Sequence, residues 1–365
     1  MRGFGPARVY SIPLRTRFRG ITVREGVLIE GPAGWGEFCP FPEYDDREAA
    51  WWLATAVEAA SVGWPEPVRE RVPVNCIVPA VAPSLAARIV RGSGCRTAKV
   101  KVAERPGSLA GDVERVEAVR DALGAGGAIR VDANGAWDVD TAVAELAVLD
   151  RAAGGLQYAE QPCRTIDELA AVRRRVGVPI AADESIRRAS DPLRVAVAGA
   201  ADLAVIKCTP LGGVRRALRV AEAAGLPCVV SSALETSVGL AAQVALAGTL
   251  PELEFACGLD TLSLLDGDTV RDGHTVLVGD TVLVGDTVLV GDTVLVGDTV
   301  LVGDTVLGGH TAAAPLRPEG GWLRVPRVAA VPDPALLDRF EPDPERVRWW
   351  LERLERVAAL PVPGG

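Results

Sequence analysis

Three lysines, at positions 99, 101 and 207, stand in a chain whose lysines and arginines number 39. Where arginine carries nearly every other cation, these lysines are candidates for a task arginine cannot do. An amine whose pKa is lowered loses its proton, whereas a guanidinium stays charged. Lys99 and Lys101 lie two apart on a segment, Ala98–Val102, that reads as a buried strand. Both therefore point to one face, and Val100 and Val102 to the other. Adjacent ammonium groups repel, which lowers the pKa of one and makes it usable as a base. Asp132, Glu160 and Asp183 each close a later apolar run, and Lys207 closes the run after those. Three carboxylates gathered at one place repel unless a cation joins them. Oxygen ligands without His or Cys suit a hard ion, Mg2+ or Mn2+. A carboxylate substrate held at such an ion would present its α-carbon between two amines, and loss of the α-proton would leave an enediolate. Lys101 is the candidate base, and Lys207 the opposing acid or a fixed cation.

The elements that must position these residues recur along the chain. Apolar runs at Asn75–Val78, Ala98–Val102, Ile129–Ala133, Leu156–Ala159, Pro179–Ala182, Leu203–Ile206, Cys228–Val230 and Glu254–Ala256 alternate with segments of helical periodicity. The helical segments include Val113–Leu123, Thr141–Leu149, Ile166–Val176 and Val214–Ala224. Eight strands with helices between them predict an α/β fold, a TIM-like (β/α) barrel whose active site lies where the C-terminal strand ends converge. The alternative, an open doubly wound sheet, would carry a glycine-rich phosphate loop after its first strand, and none follows Val78.

Residues 1–74 predict an α+β capping domain, with strands at Val9–Leu14, Ile21–Arg24 and Gly26–Glu30, a loop entered at Gly31–Trp35, and a helix over Asp46–Ala60. The barrel is expected over 75–265. A repeat-containing loop insert follows at 266–312, and a segment at 313–365 returns to the cap through a helix at Pro344–Leu360. Between Thr275 and Asp304 the hexapeptide TVLVGD occurs five times in tandem. It fits short strands joined by Gly-Asp turns, and loosely the repeat of a left-handed β-helix. Both histidines, His274 and His310, border this repeat, which sets them apart from the catalytic set.

A net charge of -9 argues against nucleic acid as a partner. No apolar run reaches the roughly 18 residues of a membrane span, and the first residues lack the apolar core of a signal peptide. Seven scattered cysteines, none spaced as CxxC, predict reduced thiols and a cytoplasmic location. Oligomeric state is left open.

The ordered set Lys99-Val100-Lys101, Asp132 with Asn134, Glu160-Gln161-Pro162, Asp183-Glu184-Ser185 and Ile206-Lys207 resembles the enolase superfamily over nearly the whole chain outside the repeat. That group uses a Lys or His base with bound Mg2+. The KxK pair and the distal lysine are those of the muconate-cycloisomerase-like subgroup. The subgroup with a histidine base is not matched, since no His occurs before residue 274. Phe18–Gly26, Gly34–Phe38 and Ser231–Ser237 resemble the actinobacterial o-succinylbenzoate synthase family of menaquinone biosynthesis. The resemblance implies a metal-dependent hydro-lyase acting on a small-molecule carboxylate, 2-succinyl-6-hydroxy-2,4-cyclohexadiene-1-carboxylate. Lys101 would take the α-proton and return it to the departing hydroxyl, Lys207 would be a stabilising cation, and Lys99 would tune Lys101. Asn134 and Glu184 would stand behind the metal ligands. Arg19 of a cap loop, with Ser231, Ser232 and Glu235, would bind substrate. The repeat departs from the family pattern. The same catalytic residues would equally serve an N-acylamino-acid racemase, a dipeptide epimerase or a cycloisomerase. An inactive barrel with the repeat as an assembly module is a lesser alternative, which loss of a ligand or a lysine would have favoured.

Overall fold

The computed structural model describes residues 4–187, 194–271, 315–327 and 330–361, together with six short strands between 277 and 308. The N-terminal region forms an antiparallel sheet of β1 (Arg8–Phe18), β2 (Ile21–Gly31) and β3 (Gly34–Phe38), in that order, covered by helix α1 (Asp46–Ser61). Asp45 caps α1 by accepting from the Glu48 N–H at 2.8 Å. The expected break between Ile21–Arg24 and Gly26–Glu30 does not occur, because Glu25 and Gly26 continue the ladder opposite Ser11 and Tyr10. Gly26 serves close approach instead of a turn: a Cβ there would meet the Tyr10 hydroxyl at 2.7 Å. The segment Gly31–Trp35, expected to enter a loop, is the hairpin between two strands: Gly31 ends β2, Pro32 and Ala33 turn, and Gly34 and Trp35 open β3. A Cβ on Gly36 of β3 would lie 2.0 Å from the Ala56 carbonyl of α1, so glycine lets the helix sit directly on the sheet.

After β4 (Arg71–Pro73) the chain alternates strand and helix: β5 (Cys76–Val78), α2 (Pro83–Ser93), β6 (Thr97–Lys101), α3 (Leu109–Leu123), β7 (Ala128–Asp132), α4 (Val139–Ala153), β8 (Tyr158–Glu160), α5 (Ile166–Arg173) and β9 (Ile180–Ala182). It continues with α6 (Glu184–Arg187), α7 (Arg194–Val197), β10 (Leu203–Ile206), α8 (Cys208–Leu211), α9 (Val214–Ala224), β11 (Cys228–Val230) and α10 (Ser237–Thr249). Strands β5 to β11 pair in parallel and in chain order. Parallel bridges from Cys257 to Val74 and from Gly258 to Ser231 join the two edges into a barrel. The closing backbone therefore lies just beyond the expected Glu254–Ala256. That segment serves the barrel floor, where the Ala256 carbonyl accepts from the Arg130 guanidinium at 2.7 Å and Phe255 packs against Tyr158.

Alternation along the strands creates two cores. Ala98, Val100, Ile129, Val131, Ala204 and Ile206 belong to the large outer cluster between sheet and helices. Tyr158, Ala181, Leu203, Val205 and Val229 form a small inner cluster that fills the barrel below its mouth. Residues two steps further along those inward rows, such as Glu160, Asp183 and Lys207, emerge at the C-terminal end.

In the repeat, Leu277–Val278, Thr281–Val284, Thr287–Val290 and Thr293–Val296 pair as an antiparallel ladder, and Thr299–Val302 pairs with Thr305–Gly308. This agrees with short strands and not with a β-helix, whose strands would stack in parallel. The Gly-Asp dipeptides between strands, His274 and His310 lie outside the described residues. Beyond the insert, Trp322–Arg324 pairs with β4, and the C-terminal helix Pro344–Ala358 returns to the cap. There Arg346 binds Glu25 at 2.9 Å, and Arg353 donates to the Tyr44 carbonyl at 2.6 Å. Among the described residues no helix is long and apolar enough to cross a membrane, and all seven cysteines are free thiols.

Just past the closing seam, burial pushes the Asp260 carboxyl up to about 7. A folded-state pKa above the unfolded value favours the protonated acid. The stability this group contributes is complete below about pH 4 and is lost as pH rises through about 7. Asp260→Asn should therefore stabilise the protein by about 2 kcal/mol at pH 8 and by only about a quarter of that at pH 4.5. Urea unfolding at both pH values checks this, and an equal effect at the two would refute it.

Candidate active site

The mouth of the barrel gathers the ionisable residues that end successive strands. Lys99, Lys101, Asp132, Glu160, Asp183 and Lys207 are all buried. Register sets Lys101 opposite Asp132 and Asp132 opposite Glu160, with Lys99 one inward step below Lys101. The Lys99 ammonium lies 3.0 Å from both Glu160 oxygens and 3.3 Å from Asp132. Lys101 donates to Asp132 at 2.5 Å and to the Asn134 side-chain oxygen at 2.5 Å. Lys207 donates to Asp183 at 2.6 Å. Three ammonium groups thus face three carboxylates, which is how a dry strand-end layer tolerates six charges.

The two lysines of the KxK pair are pushed apart electrostatically. Burial, aided by the charge of Lys99, holds the Lys101 ammonium below the usual lysine range despite the counter-pull of Asp132. Burial also works against Lys99, but Glu160 and Asp132 outweigh it and hold that group above the ordinary value. Lys101 is the member of the pair that more readily gives up its proton. Burial and the neighbouring Asp132 charge push Glu160 up to about 7, while Lys101 and Lys99 hold Asp132 well below the carboxylate range against its burial.

A small pocket opens above this layer. Phe18 and Arg19 of the cap, Ile77, both candidate catalytic lysines, Ser231 to Leu234 and Thr261 are among its walls. The Lys101 ammonium lies 5.1 Å from the centre of the Phe18 ring. Arg19 reaches Glu184 at 3.7 Å, and Glu184 accepts from the Asn134 amide at 3.3 Å, so the cap turn is latched to groups beside the carboxylates. The seryl wall is held from behind by the fully buried Arg24. Its guanidinium donates to the Leu234 carbonyl at 3.0 Å and to the Ala233 carbonyl at 3.2 Å.

Among the described residues, the five non-glycine residues with left-handed backbones are Arg19, Ala103, Asn134, Gln161 and Leu234. Each borders the mouth. Ala103, Asn134 and Gln161 follow Lys101, Asp132 and Glu160 by one or two residues, where each strand must turn sharply. Strained backbone of this kind clusters where geometry is over-determined by function.

The expected residues are therefore brought together with two distinctions. Arg19, Ser231 and Ser232 line the cavity, whereas Glu235 stands behind its wall, fully buried and bound to protein groups. Asn134 touches Lys101 directly as well as backing the carboxylates. Thr261, Arg24 and Gln161 were not singled out from sequence. Thr261 pairs its hydroxyl with that of Ser232 at 2.5 Å, and Gln161 accepts from the Asp183 N–H at 3.0 Å. The motif Glu160-Gln161-Pro162 at the end of its strand was the available signal for Gln161.

Residues 82–287 match the enolase C-terminal domain-like family and residues 9–60 the enolase N-terminal domain-like family. An o-succinylbenzoate synthase from Thermobifida fusca is 69% identical over 261 residues, covering 72% of this chain and 82% of that protein. The o-succinylbenzoate synthase of Mycobacterium tuberculosis is 46% identical over 356 residues, covering 97% and 94%. Among solved structures, the muconate lactonizing enzyme of Pseudomonas putida superposes with a TM-score of 0.66 at 20% identity, covering 92% of this chain and 98% of that one. The chain belongs to the enolase superfamily, within the group of o-succinylbenzoate synthases.

Proposed function

We propose that the protein is an o-succinylbenzoate synthase. It removes water from 2-succinyl-6-hydroxy-2,4-cyclohexadiene-1-carboxylate after abstraction of the proton next to the carboxylate. The observation that carries this reading is the placement of Lys101 and Lys207. They end strands β6 and β10, four strands apart and hence on opposite sides of an eight-stranded ring, and both line one cavity. Burial and the charge of its KxK neighbour Lys99 hold Lys101 below its ordinary pKa. A one-base elimination needs one such amine, whereas racemisation needs two alternating bases.

Asp132, Glu160 and Asp183 are the residues that would hold a divalent ion, Mg2+ by donor chemistry. All donors are carboxylate oxygens on three adjacent strand ends. Among the described residues no three acidic, histidine or cysteine side chains converge on a single point. The carboxylates are turned instead onto the lysines, and rotation of their side chains is needed for them to share an ion. The bound ion would supply positive charge for the substrate carboxylate as negative charge builds on it.

In this reading Lys101, as the free amine, takes the α-proton, and the electron pair of that C–H bond becomes delocalised into the carboxylate. Lys207, opposite, offers a fixed ammonium to this charge. The pair then forms the ring double bond as the C–O bond at the adjacent carbon breaks. Lys101 returns its proton to the departing hydroxyl, so water leaves and the base is restored. Ser231 and Ser232 offer hydroxyls to the succinyl end, and Arg19 with Phe18 closes the mouth against bulk water.

Loss of the cyclohexadiene absorbance in the presence of Mg2+ tests the reading directly. Purified protein should turn over this substrate at a kcat above about 1 s⁻¹. Metal-dependent α-proton exchange on N-acylamino acids without dehydration would move the assignment to a racemase on the same scaffold.

A further inference from the structure

Behind the seryl wall, donors from three parts of the barrel meet on one buried carboxylate. We propose that Glu235 is a positioning residue that locks the turn carrying Lys207 to the wall facing the substrate, without touching the substrate itself. The inference rests on the dehydration proposed above and deepens it.

Glu235 is fully buried and does not line the cavity. One of its oxygens accepts from the Ala233 N–H at 2.6 Å, within the wall. The other accepts from the Thr209 hydroxyl at 2.5 Å and from the Gln243 amide of α10 at 2.8 Å. Thr209 lies two residues after Lys207, in α8. Gln243 also fixes the residue between them, because its amide oxygen accepts from the Cys208 N–H at 2.9 Å. A backbone N–H can only donate, so this bond sets which end of the Gln243 amide faces Glu235. The same amide nitrogen donates to the Thr209 hydroxyl at 2.8 Å. From the cap side, the Thr55 hydroxyl of α1 lies 3.0 Å from the carbonyls of both Cys208 and Thr209.

The two residues after Lys207 are therefore gripped from α10, from the wall and from the cap. Every group that reaches Glu235 is a donor: a backbone N–H, a hydroxyl and an amide. Only a carboxylate accepts on both oxygens. A glutamine would turn its own NH2 toward one of these donors, in a site closed to bulk solvent. The helix that follows Lys207 is one turn long and has little rigidity of its own. Misplacement of a catalytic group by about 1 Å costs on the order of 100-fold in rate, so a three-way grip of this kind has a kinetic consequence.

The test uses the chain's three lysines. Full-length protein carrying ¹³C at the lysine ε-carbon gives three side-chain signals, each assigned by a single Lys→Arg variant. Glu235→Gln and Thr209→Val should displace the Lys207 signal and leave those of Lys99 and Lys101 in place. Both should lower kcat by about 10- to 100-fold. Thr209→Val, which leaves the wall contact of Glu235 intact, should keep KM within about twofold. Thr209→Ser keeps the hydroxyl and should behave as the unaltered protein. A Lys207 signal unmoved in both variants, or all three signals displaced together as in a general loss of packing, would overturn the proposal. The lysine signals do not depend on which substrate is used. An unaltered protein that leaves the cyclohexadiene intact would sink the assigned reaction, while a selective Lys207 displacement would still uphold the grip.

Discussion

Lys101→Ala should lower kcat for the dehydration by about 10⁴-fold, the upper end of what a positioned general base contributes. The same amine is asked both to take the α-proton and to return it to the leaving hydroxyl, so its loss disables two steps. Lys101→Arg should be equally damaged, because a guanidinium preserves the charge but holds no lone pair at working pH. Lys207→Arg, by contrast, keeps the one property assigned to that residue, its positive charge, and should retain far more activity than Lys207→Ala. The fold should survive in the Lys101 variants. Asp132 keeps its contact with Lys99 at 3.3 Å, and the sheet around position 101 is held by backbone pairing with β7. Stopped assays of substrate loss, run with thermal unfolding of each variant, measure this. A Lys101→Arg protein within tenfold of the unaltered rate would refute the role of Lys101 as base.

The second large effect concerns the carboxylates. Removal of divalent ions with EDTA should lower the rate by at least about 10³-fold, equivalent to several kcal/mol of lost charge stabilisation. Added Mg2+ should restore it. Glu160→Ala should have the same effect and resist rescue. Glu160 occupies the middle of the three acidic strand ends, between β7 and β9, and it faces Lys99 through both oxygens. Its removal leaves that ammonium buried with only the more distant Asp132. Calorimetric titration with Mg2+ separates binding from catalysis: the alanine variant should show no saturable heat at millimolar metal. Full activity in EDTA, or unaltered metal affinity in Glu160→Ala, would remove these carboxylates from the proposed role.

The candidate catalytic layer was legible because its residues break a simple pattern. Charged side chains at the ends of short apolar strands are costly to bury, and their positions alternate in phase with inward-facing rows. Lys99 and Lys101, spaced by two, declare both the strand and its face. Other parts were hidden by rules that hold locally but are overridden by packing. Gly26 reads as a turn, yet in the structure it makes room for Tyr10 within an unbroken strand. The closing contact at Cys257 and Gly258 is a backbone event with no side-chain periodicity to announce it. Glu235 belongs to a motif whose residue types suit substrate binding. Two of its three donors come from segments 26 residues upstream and 8 residues downstream, which no local pattern connects.

The left-handed residues around the mouth bear on how such an enzyme evolves. At Ala103 the side chain is a single methyl group on a backbone that glycine adopts without steric penalty, so glycine would forfeit only that methyl's packing against the core. At Asn134 and Gln161 the same exchange would relax the turn but delete the amides beside Lys101 and Asp183. A lineage selected for heat tolerance would find glycine favourable at the first position, whereas at Gln161, fully buried and hydrogen-bonded through both ends of its amide, the bonds lost outweigh the strain relieved.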